Sequence, residues 1–274
     1  MNRRTKLKAR TLSICLLLLC SHAADALAQS KPNEKAGGQQ QQRTVAAPAT
    51  PSDLVRAYYA ALREARVRDA MLMSVLRPAI EALSASELEE FRPDFDRLVP
   101  TVPADFEITG EQVNAEEATV FVKTGEGKDL KIEPVYLIRN GGAWIIGDRD
   151  SAALVKKKGK KFLFEWRIDA HEGDAEDMLK RIQAAQVAYA LRNAGSFGDL
   201  DALVRAGFVP QDVLGTETTG YRFTVTTDAG GRSFYARAEP ATYGRSGRLS
   251  FYMDKSGIQK KDTGGKPLAP AKSK

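Results

Sequence analysis

The sequence predicts an α+β protein of two domains, each opening in helices and closing in antiparallel strands. Three observations carry that expectation. Apolar residues recur at helical spacing over 54–65 and again over 178–189, then alternate with period two after residues 103 and 220. Turn signals such as Asn140-Gly141-Gly142 and Asp228-Ala229-Gly230-Gly231 separate neighbouring alternating runs. The chain has 274 residues, 43% hydrophobic and 28% charged, enough for two cores of about a hundred residues each.

The formal charge of +6 is concentrated at the start of the chain. Arg3, Arg4, Lys6, Lys8 and Arg10, set against Asp25, supply four of the six charges. The remainder has no surface-wide basic footprint, so no nucleic-acid partner is expected. MNRRTKLKAR forms a basic opening, LSICLLLLC an apolar run, and Ala26-Leu27-Ala28 a small-residue cleavage pattern. Residues 1–28 therefore read as a secretory signal peptide, cleaved after Ala28 to leave an extracytoplasmic protein, periplasmic or secreted. The apolar run is shorter than the ~20 residues that span a bilayer, so no transmembrane helix is expected in the mature form. Two alternatives stay open: a lipid on Cys20, although Leu19 is large for the residue before a lipidated cysteine, and an uncleaved anchor. Cys15 and Cys20 are the only cysteines and both lie in this segment. Cleavage would remove disulfides, thiolate catalysis and thiolate metal ligands together.

Residues 29–50 are rich in Gln, Ala, Gly and Pro and read as a disordered linker. Ser52 is the expected N-cap of a helix striped by Leu54, Tyr58, Leu62 and Ala65, with Asp53 in its first turn. A second helical piece over Asp69–Met73 is expected to stop near Arg77-Pro78. Ser84 and Glu87 have capping-box spacing and open a third helix through Leu88, Phe91 and Phe95, kinked at Pro93. Alternating strands follow at 106–108, 119–123, 135–138 and 144–146, the last pair joined at Asn140-Gly141.

The helix LVRAYYAALREARVRDAM and the hairpin VYLIRNGGAWIIGD give residues 51–149 a diffuse resemblance to the nuclear-transport-factor-two-like, ketosteroid-isomerase-like cone. That resemblance implies a curved sheet wrapped on a helix, enclosing an apolar pocket that Tyr58, Tyr59, Tyr136 and Trp144 would line. Each is equally an ordinary core aromatic. The family's His–Asp pair has no counterpart, because residues 51–149 contain no histidine. An Asp–Tyr pair would have to use Asp53 or Asp69, near helix ends where exposure is expected.

Residues 150–172 read as a basic connector. Lys156, Lys157, Lys158, Lys160 and Lys161 form a run expected in a solvated loop, the sharper alternative being a contact with an anionic envelope surface. Phe162, Phe164 and Trp166 alternate with period two and predict a short strand. A long helix is then expected over 174–192, with its stripe at Met178, Ile182, Ala185 and Tyr189, flanked by Leu179 and Gln186. A short helix over 200–206 and strands carrying Tyr221, Phe223, Val225, Phe234, Ala236 and Ala238 follow, then 249–253 and a last short strand. Residues 261–274 read as a disordered tail.

That order, with AGF, GYRFTV, SFYARAEP and YGRSGRLSFYMDKSG, is similar to pilin and pseudopilin globular domains over 173–260. The pilin processing motif and the apolar first half of the assembly helix do not precede Gly173, so fibre assembly by that family's route is not expected.

Chemistry-bearing groups are sparse. His171 beside Asp169 and Glu172 reads as a cap or ion-pair partner rather than a base. Histidine or cysteine metal sites are ruled out by count, no calcium-loop spacing occurs, and no cofactor or metal is expected. Gly244-Arg245-Ser246-Gly247 lacks the lysine and the strand–loop–helix setting of a phosphate loop and reads as a turn. Arg222, Tyr235, Arg237 and Tyr252 would share one sheet face, explained by strand alternation more simply than by a base-stacking platform. The expectation is an exported, non-enzymatic binding or scaffolding module of the cell envelope, with envelope or pilus-like proteins as partners. The alternative is a protein binding an apolar small molecule in the first domain.

Overall fold

A computed structural model describes residues 50–269. The signal segment, all but the last residue of the linker, and residues 270–274 of the tail lie outside them. The fold is α+β, with two four-stranded antiparallel sheets in two units divided between Gly159 and Lys160.

The first unit opens with α1, Pro51–Arg63. Its cap is Thr50, whose Oγ1 accepts from Asp53 N at 3.1 Å, not Ser52 as the sequence predicts. Pro51 has no N–H to leave unpaired and is preset for the first helical position, which moves the start forward. Ser52 instead hydrogen-bonds the Glu111 carboxylate with both its backbone N–H and its hydroxyl. Helices α2 (Val67–Leu72) and α3 (Arg77–Glu81) follow. Arg77-Pro78 thus begins a helix rather than ending one, for the same reason. Ser84 and Glu87 form the expected capping box on α4, Ala85–Glu90. The expected kink at Pro93 is a full break. Phe91 ends α4, and a separate α5 spans Arg92–Asp96.

Strands β1 (Glu107–Val113), β2 (Glu117–Thr124), β3 (Lys131–Asn140) and β4 (Ala143–Ile146) pair in that order. A register shift interrupts β1 between Ile108 and Gly110. Leu54 and Val55 of α1 sit in one buried cluster with Val120, Val122, Leu137, Trp144 and Ile146. Each large aliphatic in that cluster contributes roughly 1.5–3 kcal/mol by leaving water. Helix α6, Arg149–Lys158, closes the unit, capped by Asp148.

The second unit begins where a solvated connector and short strand are expected. Instead α7 runs unbroken from Lys161 to Arg192, 32 residues or about 48 Å. Phe162, Leu163, Ile168 and Ala175 are buried along it, and Gly173 lies in mid-helix. After α8 (Leu200–Arg205) come β5 (Tyr221–Thr227), β6 (Phe234–Pro240), β7 (Leu249–Asp254) and β8 (Gly257–Asp262), paired in sequence order. Helix α7 lies on β6 and β7. Its buried stripe centres on Leu179, Ile182 and Gln186, while Met178 and Tyr189 are partly buried at its margin. Strand β8 passes residue 260, and Thr263 Oγ1 donates to Ser250 Oγ at 2.9 Å. The first residues of the expected tail are therefore built into the sheet.

Candidate functional site

The four aromatics expected to line one pocket are split between two faces. Trp144 is buried in the inner cluster, with Tyr58 and Tyr59 packed against it from α1. Tyr136 lies between buried Val135 and Leu137 on β3, and alternation sends it to the opposite face. The inner space is filled: Val120, Val122, Leu137 and Ile146 are each at most 1% exposed. Arg139 lies over the Trp144 ring at 4.6 Å.

Tyr59 leads instead to a groove that the sequence did not mark. Its ring meets Phe106 at 4.7 Å, and the Arg63 guanidinium sits 5.6 Å from the Phe106 centroid. Arg63 Nη1 also donates to the Ala104 carbonyl at 2.9 Å. These contacts fasten the segment ahead of β1 onto α1. Opposite stands the loop from β2 to β3, so tightly turned that a Cβ on Gly125 would lie 2.4 Å from the Asp129 carbonyl oxygen, at φ +72. Between segment and loop lies a groove of about 830 Å³, at the end of the sheet where β1 and β3 begin and β2 ends.

The groove has an apolar strip, Phe106 and Leu130, edged by charge. Carboxylates Asp105, Glu107, Glu126 and Asp129 face ammoniums Lys123 and Lys131 in its lining. Lys123 Nζ is committed to Glu107 at 2.8 Å. Three lining carboxylates and Lys131 remain outside that pair, with the Arg63 guanidinium behind Phe106. Its volume is that of a site for a drug-sized ligand or a short stretch of polypeptide. No signal in the sequence joins Arg63 and Tyr59 to Ala104 and Phe106, because they meet only in the fold.

The lysine run is divided between two helices. Lys156, Lys157 and Lys158 form the last turn of α6, where positive charge complements the helix dipole. Lys161 opens α7, with Lys160 just ahead of it. His171 is buried within α7, not ahead of a helix, and its Nδ1 donates to the Ser246 carbonyl at 3.1 Å. The neighbouring Glu172 carboxylate accepts from the backbone N–H groups of Arg248 and Leu249, at 2.9 and 3.1 Å. Both tie α7 to the glycine-containing turn before β7, a structural role. On the face of the second sheet away from α7, Tyr235 and Tyr252 stack at 5.7 Å with Arg237 over Tyr235 at 4.9 Å. Tyr252 and Glu239 on that face are buried. Burial holds the Glu239 carboxyl above its ordinary range, against the pull of Arg237 and Arg222. Among the described residues no group of three or more His, Cys, Asp or Glu is placed to hold a metal. Among them, no helix is long and apolar enough to cross a membrane.

Fold and groove define an α+β protein of two units with an acidic-edged cleft on the first. No protein-family model matches the chain, and no curated protein matches it. Among solved structures it is similar to a Campylobacter jejuni protein provisionally named an NTF2-like transpeptidase. That similarity has 17% identity and a TM-score of 0.27, covering 36% of this chain and 97% of the other.

Proposed function

We propose that the protein is an exported, non-enzymatic module of the cell envelope that holds a polypeptide partner in the groove of its first unit. The observation that carries this reading is the groove itself: an apolar strip between two polar edges, with more carboxylates than ammoniums. That chemistry suits an extended segment with an apolar side chain flanked by lysine or arginine. We read the first unit as nuclear-transport-factor-two-like, from its leading helices and four antiparallel strands. The second is read as pilin-like, from its long helix laid on an antiparallel sheet. Envelope or pilus-like proteins are the partners this reading favours, and the export address rests on the first 28 residues. The alternative, an apolar small molecule inside the first unit, draws on Tyr58, Tyr59 and Trp144. It is the weaker reading because valine, leucine and isoleucine side chains occupy that interior.

The test is amine crosslinking in cells, with mass spectrometry of the linked peptides. Links from Lys123 and Lys131 to one recurring polypeptide support the proposal. Links spread evenly over exposed lysines such as Lys156, Lys157 and Lys161 count against it. A melting temperature that rises with apolar small molecules would favour the alternative.

A further inference from the structure

A second cavity, of about 230 Å³, lies on the outward face of the first sheet. It does not involve the groove and does not rest on the reading of it. Gln112 pairs with Thr119, and Thr119 with Tyr136, so these three side chains form one row across β1, β2 and β3. All three line the cavity, together with Asn114, Glu117 and Arg149 among others. Tyr136 keeps 39% of its surface open, and its carbonyl accepts from Gly147 N at 2.8 Å, which sets the start of α6 beside the row.

The charges around this cavity are already spent. Glu117 is paired with Arg149 at 2.8 Å. Asp148 caps α6, accepting from Ser151 N at 2.8 Å and Ser151 Oγ at 2.7 Å. Among the described residues, the carboxamides of Gln112 and Asn114 and the hydroxyls of Thr119 and Tyr136 make no hydrogen bond within the protein and are open to a ligand or to water. What the cavity offers is therefore two carboxamides, two hydroxyls and an aromatic ring, beside an ion pair and a capping carboxylate.

We propose that this cavity binds one pyranose ring of a neutral sugar. Sugar hydroxyls both donate and accept, which a carboxamide matches with its two donors and its carbonyl oxygen. The C–H faces of the ring carry slight positive charge and suit the negative face of a tyrosine. The volume equals that of roughly eight waters, room for one ring and less than a drug-sized site. A nucleotide or sugar phosphate is disfavoured, because its phosphate would meet two carboxylates, Glu117 and Asp148, against one arginine. A free monosaccharide and a unit of a glycan chain share this chemistry.

The test uses the purified full chain with glucose, N-acetylglucosamine and a linear tetrasaccharide of each, by titration calorimetry and saturation-transfer NMR. Saturable binding is expected, little changed between low and high salt. Tyr136→Ala should weaken it roughly tenfold, and Gln112→Ala or Asn114→Ala several-fold each. Leu214→Ala, exposed on the second unit and in neither site, should leave it unchanged. These side chains are exposed, so melting curves should stay within a degree or two and exclude unfolding as the cause. A tetrasaccharide bound at least tenfold more tightly than its monomer assigns the site to a glycan chain; equal affinities assign it to a free sugar. No saturable binding of any of the four overturns the proposal. So does binding that Tyr136→Ala leaves intact, or an affinity that collapses with salt.

Discussion

Replacing Gln186 with leucine should unfold the second unit well before the first. Gln186 is 0% exposed on the sheet-facing stripe of α7. Its Nε2 donates to the Gly198 carbonyl at 2.6 Å, and its Oε1 accepts from Gly198 N at 3.0 Å. One side chain thus satisfies both backbone groups of a buried residue ahead of α8. Leucine keeps the bulk and removes both bonds, stranding an N–H and a C=O. Each stranded group costs about 1–3 kcal/mol, and the saved desolvation of the carboxamide returns part of that. A net loss of about 3 kcal/mol is expected, or ~10–15 °C for a unit of roughly a hundred residues. Calorimetry on Gln186→Leu should show one transition moved and one in place. Amide exchange at Gly198 should rise sharply, whereas Gln183→Leu, on the exposed side of α7, should move neither. A Gln186→Leu variant melting within 2 °C of the parent, with Gly198 still protected, would refute the reasoning.

Three further outcomes follow from the same contacts. Gly220→Ala would place a Cβ 2.1 Å from His171 Nδ1 at a backbone φ of +68, so His171 must leave the Ser246 carbonyl. A loss of about 2–4 kcal/mol in urea unfolding is expected, partly recovered when His171→Ala is added. Burial raises the Glu239 carboxyl above its ordinary 4.5, so the folded chain holds a proton that the unfolded chain releases. Its contribution to stability therefore falls as pH climbs from 4.5 through the raised value and stays lost above it. Glu239→Gln should melt higher than the parent at pH 7, with the gap closing toward pH 4.5. Asp228 and Asp254, held below their ordinary 3.8 by hydrogen bonds, act only at lower pH. Arg63→Ala should cost only about 1 kcal/mol, yet hydrogen exchange over residues 103–107 should quicken as that wall of the groove comes loose.

Local signals in the chain were easiest to read. Ser84 and Glu87 cap α4 reciprocally because everything they need lies within four residues. The turn at Gly141 and Gly142 likewise follows from two neighbouring positions at φ +59 and +85. The start of α7 was not legible for a definite reason. Phe162, Phe164 and Trp166 alternate as a strand would, and Gly173 costs a helix about 1 kcal/mol. Burial of Leu163, Ile168, His171 and Ala175 at helical spacing outweighs both. Tyr136 marks a middle case. The buried residues on either side already imply that it faces away from Trp144, but only the strand register shows that it joins Gln112 and Thr119. The groove could not be read at all, since its wall depends on Arg63 meeting Ala104 across 41 residues.

The central claim is that the groove of the first unit engages a polypeptide, and a photo-crosslinking residue at position 130 tests it most directly. Leu130 is 44% exposed in the groove lining, and Leu214, 48% exposed in the second unit, is the control position. The account predicts a discrete crosslinked polypeptide from position 130 in living cells. It should be absent from position 214 and lost when Asp105 and Asp129 are changed to asparagine. Equal yields from both positions, or a product from position 130 indifferent to those carboxylates, would contradict it.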